Sequence, residues 1–455
     1  MKRIRLIIIK ITIDNTDFLK KVSIINGDFV YLHHKKRKNM VTKELLRQVI
    51  YEQRELSNYL GVARDISEEQ LSAPEVTVIS GVRRCGKSVL LQQIKSRRKE
   101  QDYYMSFDDD RLLHFTVEDF QKLCEVFAED FGMQHTFYLD EVQLIPGWER
   151  FVDRLYNHHN KVFITGSNAF LLSHELGTLL TGRHVTQELF PLSLSEYAAI
   201  KGIDWDRKDF YTTEGRSKLL NMQSGHLKEG GFPQFLSTGN PRYLRELYND
   251  VLYRDIIVRH KLPSDRQLRE VAYYLASNYT HKMTYNSVAK ATNVKSPDTV
   301  SDYISYMEEA YMLGIVTKYD YKVGEQLKSP KKIYFIDNGL VNQIGFGFSD
   351  NKGARLENAV YIELWRRDRE VFYYNERGEC DFLVRQGGSI TEAYQVSVSL
   401  AETKTRKREI DGLVEAMDVF GLTVGYIITL DETEEINLSN GKTIRVLPYY
   451  RWCLD

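Results

Sequence analysis

An apolar run, Val76-Thr77-Val78-Ile79-Ser80, leads directly into Gly81-Val82-Arg83-Arg84-Cys85-Gly86-Lys87-Ser88 and then into Val89-Leu90-Leu91. No other stretch of the 455 residues restricts the fold as tightly. A GxxxxGKS pattern carries weight only when a strand precedes it and a helix follows, and here both are present. The glycines let the chain curl until its N–H groups, with those of the helix N-terminus, surround a phosphate. Lys87 then reaches the β- and γ-phosphates of ATP, and the Ser88 hydroxyl ligates Mg2+. Gly81, Val82, Arg83, Arg84, Cys85, Gly86, Lys87, Ser88 and Val89 are therefore the expected nucleotide-binding residues, with ATP and Mg2+ as ligands.

The next strands bring the chemistry that hydrolysis needs. Thr136-Phe137-Tyr138-Leu139 ends in Asp140-Glu141. Adjacent carboxylates at the tip of a buried strand are costly without a cation nearby. Asp140 is expected to hold Mg2+ through water, and Glu141 to polarise the attacking water. Lys161-Val162-Phe163-Ile164-Thr165 is a further strand, running into Gly166-Ser167-Asn168. Asn168 is read either as a sensor of the γ-phosphate or, with Ser167, as a helix cap. Arg183 is read either as an arginine finger, in cis or on a neighbouring subunit, or as a surface salt bridge, and spacing alone does not choose. Glu141, Lys87, Asn168 and Arg183 are the catalytic candidates.

These motifs occur in order with others: GVRRCGKS, FYLDEVQ, ITGSN, LTGRHVTQELFPLSLSEY, GGFP and SPKKIYFIDNGL. The set resembles the bacterial and archaeal AAA-type ATPases that carry a C-terminal domain of unknown function. The resemblance covers about residue 41 to residue 430. It implies a parallel-sheet P-loop core in which the strand Lys161–Thr165 lies between the strands that carry Lys87 and Asp140. The cellular task is not implied.

Beyond the core, the spacing predicts three amphipathic helices: 264–280, 285–291, and a third capped by Ser296 with Pro297 in its first turn. Two strands follow, Ile315–Lys322 and Lys332–Ile336. Three helices and a β-ribbon read as a winged helix. Its third helix carries Asp298, Asp302, Glu308 and Glu309 and no Lys or Arg, a surface that repels phosphate. Positive charge gathers instead on the ribbon at Lys318, Lys322, Lys328, Lys331 and Lys332. The last hundred residues resemble a restriction-endonuclease-like core. That likeness implies a Mg2+ centre from a helix Glu, a strand Asp and an acidic-x-Lys triplet; Glu357 and Asp381 match the first two. The triplet reads Gln395-Val396-Ser397, so Gln395 replaces a carboxylate and Ser397 an ammonium. Glu357, Asp381 and Gln395 are expected to form a vestigial site. Lys404, Arg406, Lys407 and Arg408 are the nearest downstream cations.

Charge is uneven. Residues 1–39 hold ten Lys/Arg against three Asp, in a chain whose net charge is −1. The head reads either as a nucleic-acid-binding arm or as a poorly ordered extension. With 27% charged and 42% hydrophobic residues the chain belongs among soluble globular proteins. No window approaches the roughly 18 apolar residues of a membrane span. Cys85, Cys124, Cys380 and Cys453 lack metal-ligand spacing and fit a reduced cytoplasm. The expected plan is a basic extension (1–40), an AAA-type P-loop domain (41–240), a helical and winged-helix region (241–340) and an endonuclease-like α/β domain (341–455). Expected partners are ATP, then DNA or a protein through the last two regions, and further copies of the chain.

Overall fold

The computed structural model describes residues 6–13, 16–25, 28–32, 41–56, 59–66, 71–166, 180–345 and 351–455. Leu6–Ile13 (β1), Thr16–Ile25 (β2) and Asp28–Leu32 (β3) form an antiparallel sheet in the order β1-β2-β3. Runs such as Leu6-Ile7-Ile8-Ile9 strongly favour extended backbone.

Val76–Ser80 (β4), Tyr104–Ser106 (β5), Thr136–Asp140 (β6), Lys161–Thr165 (β7) and His184–Glu188 (β8) build a parallel sheet in the order β5-β6-β7-β4-β8. As the resemblance implied, β7 lies between β4 and β6. Side chains alternate between the two faces, and both faces are apolar, as a covered parallel sheet requires. Val76, Val78, Phe137, Leu139, Val162 and Ile164 pack towards the helices Lys43–Leu56, Phe120–Phe131 and Trp148–Asn157. Ile79, Tyr138 and Phe163 belong to a second core with Leu90, Leu91 and Ile94 of the helix Lys87–Ser96. That second core runs on without a break into the helices that follow, so the P-loop helix and the middle region share apolar packing. Each such side chain contributes about 1.5–3 kcal/mol on burial.

The three middle helices are Arg266–Ser277, Tyr285–Thr292 and Pro297–Glu309, the last with Ser296 accepting from Asp298 N–H at 3.1 Å. The ribbon differs from a free wing. Lys282–Met283 (β9), Leu313–Lys318 (β10) and Lys331–Phe335 (β11) join Glu370–Asn375 (β12), Glu379–Gln386 (β13), Ser389–Val396 (β14), Val424–Thr429 (β15), Glu434–Asn437 (β16) and Thr443–Pro448 (β17) in a single sheet. Its order is β16-β17-β15-β14-β13-β12-β10-β11-β9, with β10 parallel to β12. The cause lies in the ribbon itself: Leu313, Val316, Ile333, Tyr334 and Phe335 are buried on both of its faces, which a wing standing in water does not permit. The boundary expected at 340 therefore divides the chain but not the sheet. Among the described residues no helix is long and apolar enough to cross a membrane.

Candidate active site

The P-loop leaves β4 at Gly81, whose φ is +144°. A Cβ there would lie 2.1 Å from the Leu189 carbonyl oxygen, so glycine is required for space as well as conformation. Gly86 (φ 106°) caps the helix Lys87–Ser96, and Arg84 is exposed in the left-handed region at φ 63°. Lys87 is buried; its ammonium donates to the carbonyls of Gly81 and Val82, both at 3.0 Å. The loop is braced from outside by Arg64, which sequence reasoning missed. Arg64 is buried and donates to the Cys85 carbonyl at 2.9 Å, the Phe190 carbonyl at 2.6 Å and Glu196 Oε1 at 2.8 Å. Burial pushes the Glu196 carboxyl up, but Arg64, Arg366 and two backbone N–H groups outweigh it and hold the group below its usual range.

At the end of β6, Asp140 Oδ1 accepts from Ser88 Oγ at 3.0 Å and from Thr165 Oγ1 at 2.6 Å. Burial pushes this carboxyl up against those hydroxyl bonds. The oxygen set of Ser88 and Asp140 suits a hard cation, which also supplies the positive charge that a buried Asp140 needs. Glu141 is half-buried in the left-handed region at φ 53°, a conformation that costs a non-glycine residue about 1 kcal/mol or more. Thr165 Oγ1 receives its N–H at 2.9 Å, and Gln143 donates to its carboxylate. Burial is the main force raising the Glu141 carboxyl, with Lys87 opposing. A raised carboxylate is the better proton acceptor. Thr165 thus ties the two acidic residues together, a role not read from the sequence, although its place at a strand tip was visible. Asn168 lies outside the described residues.

The structure does not bring Arg183 to this site. It precedes β8, and its carbonyl accepts from Val76 N–H at 2.9 Å, at the start of β4. With Val76 paired to His184 and Ser80 to Glu188, Arg183 lies at the far end of the sheet from the loop. Five strand residues at about 3.3 Å each make that roughly 17 Å. Its guanidinium pairs with Asp153 at 2.6 Å, away from its own loop.

A second cluster gathers in a cleft of about 610 Å³ between the ribbon and the last helices. Glu357 comes from the helix Lys352–Arg366, Asp381 and Glu379 from β13, and Gln395 from β14. The ammonium that the Gln395-Val396-Ser397 strand lacks comes from a different strand. Lys332 of β11 enters the cleft, its Nζ 3.0 Å from Asp381, 3.1 Å from Glu379 and 3.2 Å from Glu357. It stands 49 positions before Asp381 and on another strand, so no local triplet discloses it. Burial pulls its pKa down, but Tyr334 and the three carboxylates outweigh that and keep it charged. Burial and Asp381 push Glu357 up to about 7 against the pull of Lys332. Gln395 turns to Glu409 and to the Asp381 N–H, Arg406 pairs with Glu434, and Arg408 pairs with Glu409. Three of the five ribbon lysines have a carboxylate partner: besides Lys332, Lys318 pairs with Glu376, and the exposed Lys328 lies 3.9 Å from Glu325.

A parallel sheet in this order, a glycine loop holding Lys87, and Asp140 bonded to Ser88 define an AAA-type P-loop core. Residues 73–198 match the family described as AAA domain, and residues 223–352 match a domain of unknown function (DUF8612). The chain is 29% identical over 443 residues to the uncharacterized protein MJ1544 of Methanocaldococcus jannaschii, across 91% of this chain and 97% of that protein. It is 31% identical over 360 residues to an uncharacterized protein of Haemophilus influenzae, across 75% of this chain and 86% of that one. The chain belongs to the family of that Haemophilus influenzae protein. Among solved structures it is similar to C. elegans PCH-2, with a TM-score of 0.28 and 12% identity over 45% of this chain and 61% of that one.

Proposed function

We propose that this chain binds ATP with Mg2+ and hydrolyses it, and that the cycle moves the middle helices and the shared nine-stranded sheet. The observation that carries this reading is the constellation Lys87, Ser88, Asp140, Thr165 and Glu141 at one end of the parallel sheet. Ser88 and Asp140 are the residues to hold Mg2+, whose chemistry when bound is charge neutralisation on the β- and γ-phosphates. Lys87 reaches the same phosphates, and Glu141 takes the proton of the attacking water. Supporting the link to the rest of the chain is the apolar core that the P-loop helix shares with the middle region. The test is ATP turnover by the full chain with and without Mg2+: turnover that EDTA removes is expected, and failure to bind nucleotide overturns the reading.

For the downstream regions we read a protein partner in preference to a nucleic-acid backbone, because carboxylates pair three of the ribbon's lysines. The second cluster is read as non-cleaving: Gln395 supplies no charge, and Lys332 already compensates Glu357 and Asp381. Single-stranded, duplex and branched DNA incubated with the protein and Mg2+ or Mn2+ are expected to remain intact. Cleavage that Asp381→Ala removes would make the chain an ATP-dependent DNA-processing nuclease instead.

A further inference from the structure

We propose that Arg83 is a catalytic residue of this site, the guanidinium that meets the γ-phosphate of bound ATP, and that Asp255 is the residue that positions it. The inference rests on the ATP-hydrolysis reading above. Arg83 is the third residue of the phosphate loop, yet its side chain is only 26% exposed. Its Nε and Nη2 grip both oxygens of Asp255, at 2.9 and 2.8 Å. Asp255 is buried, within the π-helix Val251–Val258 that follows the helix Pro241–Asp250. Wide helical turns of this kind are rare and are frequently found at functional sites.

The fork geometry decides what remains free to act. A bidentate pair through Nε and Nη2 leaves Nη1, with two N–H donors, outside the pair and holds the guanidinium plane rigid. Arg83 also lies close enough to Glu141 for each to stabilise the other's charge. Arg83 follows Val82 in the chain, and the Val82 carbonyl accepts from the Lys87 ammonium at 3.0 Å, so the guanidinium leaves the loop beside the phosphate-binding lysine. In the reaction a water oxygen attacks the γ-phosphorus, Glu141 accepts the water proton, and the bond to the β–γ bridging oxygen breaks, its electron pair leaving with ADP. Negative charge moves across the γ-phosphoryl and bridging oxygens as this happens. A fixed guanidinium there opposes that charge without reorganising. Arg183 lies at the other end of the sheet, away from its own loop. A second contact, Tyr311 OH to Ser80 Oγ at 2.8 Å, also joins the middle region to the end of β4.

The test is full-chain Arg83→Ala, Arg83→Lys, Asp255→Asn and the Arg83→Ala/Asp255→Asn double variant, each measured for binding of a fluorescent ATP analogue and for single-turnover hydrolysis. Arg83→Ala is expected to slow turnover of bound ATP about 10²–10³-fold, with affinity within about threefold of wild type. Arg83→Lys leaves a cation beside Asp255, so it stays folded, and is expected to lose about tenfold or more because the fork is gone. Asp255→Asn is expected to lose less than about tenfold, since the arginine remains. Equal losses in Arg83→Ala and Asp255→Asn that the double variant does not deepen would make the pair a strut and overturn the proposal. Turnover in the wild type that Lys87→Ala leaves untouched would remove the ATP-hydrolysis reading itself.

Discussion

Glu141→Gln is expected to bind ATP as the wild type does and to hydrolyse it about 10²–10⁴-fold more slowly, the usual worth of a positioned general base. The substitution keeps the shape of the side chain and the Thr165 bond to its backbone N–H, while removing the only function for which a carboxylate is needed. Lys87→Ala is the contrasting variant. It removes the buried ammonium that folds over Gly81 and Val82, and binding and turnover are expected to fall together. The comparison is made by measuring nucleotide affinity and single-turnover rate in both proteins. If Glu141→Gln loses affinity while bound ATP turns over at the wild-type rate, Glu141 serves the metal or the backbone and not the water.

Lys332→Met is expected to destabilise the protein by about 3–5 kcal/mol, the cost of leaving buried charges without their partner. Lys332 is almost fully buried and is shared by Glu357, Asp381 and Glu379; the last is 39% exposed, so most of the effect comes from the first two. The size of the loss depends on pH in a defined direction. Without the ammonium, Glu357 and Asp381 repel each other in low dielectric, and protonation relieves that repulsion. The Glu357 carboxyl, pushed up to about 7 even beside the ammonium, rises further above its unfolded value without it, so the penalty is smallest in acid and grows as pH rises from that unfolded value. Urea denaturation followed by tryptophan fluorescence measures it; of the four tryptophans, Trp365 is on the helix that carries Glu357. The Lys332→Met/Glu357→Gln double variant is expected to recover part of the loss, because one stranded charge is gone. A loss under about 1 kcal/mol at neutral pH would mean that water, and not Lys332, compensates the cluster.

The pairing of Lys332 with Asp381 also marks the limit of what a linear reading reaches. A phosphate loop is legible because its chemistry sits in eight consecutive residues, Gly81 to Ser88, whose glycines and helix start are local requirements. The Asp140-Glu141 pair is legible for the same reason, since a strand delivers its last residues to a known edge of the sheet. The parallel order with β7 between β4 and β6 came with the resemblance those motifs carry, and the described strands have it.

What the sequence by itself determined is therefore the phosphate-binding core and its acidic edge, both built from contiguous residues whose backbone conformations follow from their own side chains. Tertiary structure alone decided the rest, because charges separated by tens or hundreds of positions choose partners by proximity after packing. Arg64 reaches Glu196 across 132 positions, Arg83 reaches Asp255 across 172, and Lys332 reaches Asp381 across 49. The same packing carried Arg183 to the far end of the sheet and drew a ribbon that reads as a free wing into the sheet of the module beside it. Buried charges must be paired and two-sided apolar strands must be covered, and neither requirement names its partner within the local sequence.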